Sequence, residues 1–109
     1  MVFYHYATDE VRLVIASSVP WRVPNTDRLG RPRAVYFTDS LFHSTAAAEA
    51  ALQIGALHPK GPHATPQFRC EIELTGCTYA NLGAVSGGTA TEYATPDRPQ
   101  VTAIVGMNP

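Results

Sequence analysis

From Gln67 to Leu74 the side chains alternate without a break. Phe68, Cys70, Ile72 and Leu74 fall on one face, and Gln67, Arg69, Glu71 and Glu73 on the other. A period of two is that of a β-strand, and a strand with one apolar face needs a sheet around it and a second layer against it. The stretch from Pro66 to Leu74 therefore commits the chain to a sheet. Glu71 and Glu73 have the residue types of a catalytic carboxylate pair. Alternation sets both on the solvent side of a regular strand, where they serve solubility.

The remaining elements follow from local pattern. Val2 to Tyr6 reads as a first strand, with Val2, Tyr4 and Tyr6 on one face and Phe3 and His5 on the other. Thr8 or Asp9 caps a helix running to about Ser17, with Val11, Val14 and Ile15 as its buried stripe, and Ser17-Ser18-Val19-Pro20 ends it. Arg33 to Ser40 is rich in β-branched and aromatic residues and breaks into an Asp39-Ser40 turn. Val35 and Phe37 share one face of that strand; Ala34, Tyr36 and Thr38 share the other. Ser44 is an N-cap for the Ala-rich run Thr45–Leu52. Ile54 and Leu57 extend its apolar face, and Gly55 ends or loosens it.

Leu82 to Thr91 is rich in Gly, Ser and Thr and reads as a loop. Glu92-Tyr93-Ala94 opens a strand, Pro96-Asp97-Arg98-Pro99 turns, and Gln100 to Val105 returns as the last strand. The expectation is one α+β domain over residues 1–109, mostly β with two helices.

Composition narrows the function classes. At 109 residues there is room for one modest core. A net charge of -1 gives no electrostatic argument for nucleic acid or an anionic membrane. It leaves open a nucleic-acid substrate reached by shape. No apolar run approaches membrane-spanning length, and Met1-Val2-Phe3-Tyr4 has neither the basic start nor the apolar stretch of a signal peptide. Cys70 and Cys77 match no metal signature and make no disulfide framework. Cys70 reads as a buried small hydrophobe, with a bridge to Cys77 left open. His43, His58 and His63 have no paired cysteine or acid at ligand spacing, so no metal site is expected.

Several residues have both a plain and a functional reading. Tyr36 is either an ordinary half-buried strand tyrosine or a ring at a cleft mouth that stacks on a flat ligand, with small Ala34 leaving room beside it. His5 is either a hydrogen-bonded core histidine or a ligand contact. Trp21 to Pro32 is an irregular loop carrying Arg22, Asp27, Arg28 and Arg31, followed at once by Arg33. The plain reading, a solvated loop, is favoured over a substrate-contacting arginine loop.

Three pieces in order carry a resemblance: Phe3-Tyr4-His5-Tyr6 at the first strand, Val35-Tyr36-Phe37-Thr38-Asp39 at the second, and Glu92 at a late strand after a Gly-rich loop. The trio resembles the His-Tyr-Glu group of ADP-ribosyltransferases, which includes diphtheria toxin and the poly-ADP-ribose polymerases. It is more closely similar to the short bacterial toxin domains of that group. The resemblance runs from His5 to about Val105. It implies a small split β-sandwich with two or so helices around an NAD cleft.

It also implies roles. His5 would hydrogen-bond the ADP-ribose part of NAD, with Tyr6, Phe37 and Thr38 beside the motif residues in the NAD-contacting set. Tyr36 would lie on the nicotinamide ring. Glu92 would bind the nicotinamide-ribose 2′-hydroxyl and offset positive charge as the glycosidic bond breaks.

The activity implied is transfer of ADP-ribose from NAD, a glycosyltransferase reaction, to a protein or nucleic-acid acceptor. The chain would act in a cytoplasm, alone or as part of a larger delivered toxin, and a cognate immunity protein or antitoxin is the implied partner. Where the family has a second aromatic, this chain has the Ala46-Ala47-Ala48 run, leaving Phe42 as the substitute. Ala90, two residues before Glu92, disfavours arginine as acceptor. Asp97 is a rival acid. Rival activities are an NAD glycohydrolase, an RNA 2′-phosphotransferase relative using Arg22, Arg28 and Arg33 with a histidine, and a non-catalytic nucleotide- or protein-binding module of the same fold.

Overall fold

Six strands form two three-stranded sheets in a computed structural model that describes residues 2–7, 31, 34–57 and 65–109, with Ala56 and Leu57 given as backbone alone. The strands are β1 (Phe3–Ala7), β2 (Val35–Phe37), β3 (Phe68–Glu73), β4 (Ala80–Ala84), β5 (Thr91–Thr95) and β6 (Gln100–Gly106). The first sheet has the order β1-β3-β6 and the second β2-β5-β4. Every pairing is antiparallel. The coarse expectation of an α+β chain is met. The helix anticipated from about Asp9 to Ser17 lies outside the described residues.

The central strand of the first sheet is the one the alternation marks out. Cys70 and Ile72 of β3 are buried between the sheets with Phe3 of β1 and Val101 of β6. Val35 and Phe37 of β2 face them from the second sheet. Around Phe37 the rings close up: Phe3 is edge-on at 5.1 Å and Tyr93 is stacked at 5.6 Å. Such aromatic contacts add to the burial of apolar area that holds the sheets together.

A helix closes the other side of the first sheet. Helix α1 (Thr45–Leu52) starts where expected, with Ser44 Oγ accepting from Ala47 N. It buries Ala48, Ala51 and Leu52 against Tyr6, Val85 and Ala90. Its end differs from the expectation. Gln53, not Gly55, takes the left-handed conformation that stops it, at φ 53°. A short turn, α2 (Ile54–Leu57), then follows. Gly55 N donates to the Glu49 carboxylate at 3.0 Å, so Gly55 is held inside the turn and breaks nothing.

The stretch read as a Gly-rich loop is also partly strand. Ala80–Ala84 pairs with β5, and all five residues are exposed. Leu82 is the one large apolar residue on this exposed edge, and a single one makes no alternation to mark the strand. Past β4, the Thr89 and Ala90 amides donate to the Ala51 carbonyl at 3.1 and 3.2 Å. Gly88 permits this approach, because a Cβ there would lie 2.1 Å from Ala51 O. Both cysteines are thiols, so the bridge left open does not form. Among the described residues no helix is long and apolar enough to cross a membrane.

Candidate functional site: Tyr36 and Glu92 around one guanidinium

Among the described residues one backbone bridge joins the two sheets at the edge of their packed core. Tyr4 N donates to Thr38 O at 2.8 Å and Thr38 N to Tyr4 O at 2.9 Å. An antiparallel ladder carried two residues further would pair Tyr6 with Tyr36. In its place the His5 side chain spans the separation, with Nδ1 2.7 Å from the Tyr36 carbonyl oxygen. A carbonyl only accepts, so Nδ1 carries the proton. In the neutral ring Nε2 is then the acceptor nitrogen.

Tyr36 sits opposite Ala94 in the ladder between β2 and β5. Glu92 is two residues before Ala94, so the period of two returns it to the face that holds Tyr36, one diagonal step away. Thr38 ties the strands together beside that pair. It is fully buried, and its hydroxyl donates to Thr91 O at 2.7 Å. On the other side of β5 the register slips between Asn81 and Gly83, beside the Gly83–Glu92 pair. Asn81 Oδ1 accepts from Gly83 N at 2.7 Å, and Gly83 has the left-handed φ of 84° that a glycine accommodates. A bulge at such a point re-aims the neighbouring side chain.

Arg31 fills the space between ring and carboxylate. Its guanidinium carbon is 4.0 Å from the Tyr36 ring centroid. Its Nη1 is 2.5 Å from Glu92 Oε1 and its Nη2 3.3 Å from Oε2. This is a bidentate fork laid on an aromatic face, an arrangement that arginine's planar charge suits. The pair is largely sheltered, with 23% of the Arg31 side chain and 11% of Glu92 exposed. The plain reading of Arg31 as a solvated loop charge is corrected: it is the residue that spacing missed. The Arg31–Glu92 contact spans 61 positions, and only the possibility of a substrate-contacting arginine loop pointed toward it.

The other named residues are placed as follows. Phe37 is 3% exposed, with its ring in the aromatic core. Thr38 has no exposed surface, and its hydroxyl ties β2 to β5. The Tyr6 hydroxyl donates to Ser40 O at 2.9 Å and accepts from Phe42 N at 2.7 Å, which fixes the turn after β2. Burial pushes the Tyr6 phenol up, partly offset by the Phe42 amide. The Phe42 ring packs on Tyr6 at 5.7 Å in the helix-side core.

Asp97 is engaged at the far end of β5. Its carboxylate accepts from Thr78 N at 2.7 Å and Thr78 Oγ1 at 3.0 Å. Glu92, not Asp97, shares the site with Tyr36. His58, His63, Arg22, Arg28 and Arg33 lie outside the described residues. Among the described residues no group of three or more His, Cys, Asp or Glu is placed to hold a metal ion.

Comparisons with known proteins add no relative to this geometry. No family model matches the chain, and no curated protein or solved structure matches it.

Proposed function

We propose that the chain is an ADP-ribosyltransferase that uses NAD as donor, and that its two sheets are the split β-sandwich of that fold. The observation that carries this reading is the convergence of the Tyr36 ring and the Glu92 carboxylate on one planar cation. The nicotinamide end of NAD is also a planar cation, a pyridinium joined to ribose. As its bond to ribose C1′ lengthens, positive charge moves onto the sugar. A fixed carboxylate beside that carbon is worth more in the transition state than in the ground state.

In this reading Tyr36 holds the leaving ring, Glu92 engages the 2′-hydroxyl and the developing charge, and His5 positions the strand that carries Tyr36. The acceptor is a protein or nucleic acid, and an immunity protein or antitoxin covering the cleft is the expected partner of a toxin of this kind.

The direct test is incubation of the folded protein with isotope-labelled NAD and a cell lysate. Transfer of label to a macromolecule with nicotinamide release supports the proposal. Nicotinamide release with only free ADP-ribose makes water the acceptor and the chain a glycohydrolase. Neither product discards both.

A further inference from the structure

We propose that Tyr36 and Glu92 form a subsite for planar cations whose resident occupant is the chain's own Arg31. The nicotinamide ring of NAD displaces Arg31 while that ring is charged, and Arg31 displaces it once it is neutral. This rests on the reading of the site as an NAD cleft and says what that cleft selects.

The argument starts from what the two side chains recognise. An aromatic face attracts a cation through its quadrupole, and a flat, weakly hydrated one lies best against it. A carboxylate at the rim adds charge attraction and, for a guanidinium, two hydrogen bonds. Arg31 satisfies both conditions at once, 4.0 Å from the ring centroid and on both Glu92 oxygens. Any ligand that uses the Tyr36 face beside Glu92 must first remove it. A neutral flat ring offers the carboxylate no charge and competes poorly. A pyridinium does better.

The reaction changes which side wins. When the C1′–N1 bond of NAD breaks, its electron pair goes to the ring nitrogen and nicotinamide leaves uncharged. The positive charge passes to ribose C1′, where the acceptor's lone pair forms the new bond and the acceptor loses a proton. Nicotinamide then faces the guanidinium with no charge of its own. Arg31 is thus a competitor that the charged donor overcomes and the neutral product does not.

The experiment compares two probes of nearly equal shape, neutral nicotinamide and the 1-methylnicotinamide cation, by calorimetric titration above neutral pH. On the wild-type chain the cation binds more tightly. In Arg31→Ala the affinity of both probes rises by about tenfold, the gain expected if the resident side chain leaves the subsite open about a tenth of the time. The cation stays the tighter ligand, and Glu92→Gln removes the preference for charge. No gain for the cation in Arg31→Ala, or no preference for it on the wild-type chain, overturns the proposal.

If Arg31→Ala does not fold by circular dichroism, Arg31→Lys keeps a charge but loses the planar fork. It gives a smaller gain in the same direction, and its absence is equally fatal. Cation preference without any NAD turnover keeps the subsite and removes the transferase reading. Turnover without cation preference removes the subsite alone.

Discussion

Nδ1 of His5 and the carbonyl oxygen of Tyr36 lie 2.7 Å apart across 31 positions of sequence. The contact joins a side chain of the first sheet to the backbone of the second, directly behind the ring of the candidate site. His5→Ala removes it and leaves the carbonyl to water or to no partner. The expected outcome is a loss of about 1 kcal/mol in stability and a drop of about tenfold or more in nicotinamide release. Urea unfolding measures the first and steady-state kinetics the second. Lost stability with unchanged turnover would reduce His5 to scaffold.

Glu92→Gln keeps the shape of the side chain and removes its charge. Nicotinamide release should fall by about 100-fold or more, because the carboxylate acts where charge develops. The pair is largely sheltered, so leaving the Arg31 charge beside a neutral amide should also cost about 2 kcal/mol of stability. A melting curve close to wild type beside unchanged kinetics would remove Glu92 from any catalytic role.

Gly88→Ala tests the docking of the β4–β5 connection on α1. The new Cβ would fall 2.1 Å from Ala51 O and 2.8 Å from Ala51 C, and both are backbone atoms that cannot turn aside. A destabilisation of about 3 kcal/mol is expected, read by chemical denaturation. Gly76→Ala is no control for sterics, since that site has open space but a left-handed φ of 79°.

The two thiols should separate by reactivity and by pH. Burial raises the Cys70 pKa from 9.0 to about 12. Between those values the unfolded chain has released the proton and the folded chain still holds it. Stability is therefore intact below about pH 9 and declines as pH climbs toward about 12. Tyr6, also raised by burial, pulls the same way above its ordinary 10.0. Cys70→Ala should flatten part of that alkaline decline. A thiol reagent at neutral pH should label the half-exposed Cys77 first and Cys70 only on unfolding.

The legible parts of the sequence are those where burial repeats. β3 shows itself because Cys70 and Ile72 enter a core while Gln67 and Glu73 meet water. Ser44 shows itself because an N-cap is local chemistry. β4 is hidden because its side chains are exposed on both faces and so have no period. Gln53 is hidden because a left-handed cap is ordinarily written with Gly or Asn. Val35-Tyr36-Phe37 separates by alternation, yet a family pattern groups the inward Phe37 with the outward Tyr36. Arg31 is the largest omission. Its partners follow from the packing of distant strands, and a loop of Pro, Gly and charge looks the same whether an arginine meets water or a ring.

The ladder between β2 and β5 gives the site a fixed gauge. Tyr36 and Glu92 stand on neighbouring strands whose spacing is set by backbone hydrogen bonds at about 4.8 Å, and Thr38 cross-links those strands beside them. The backbone points that carry phenol and carboxylate therefore keep their separation, and only side-chain rotation changes how the two present themselves.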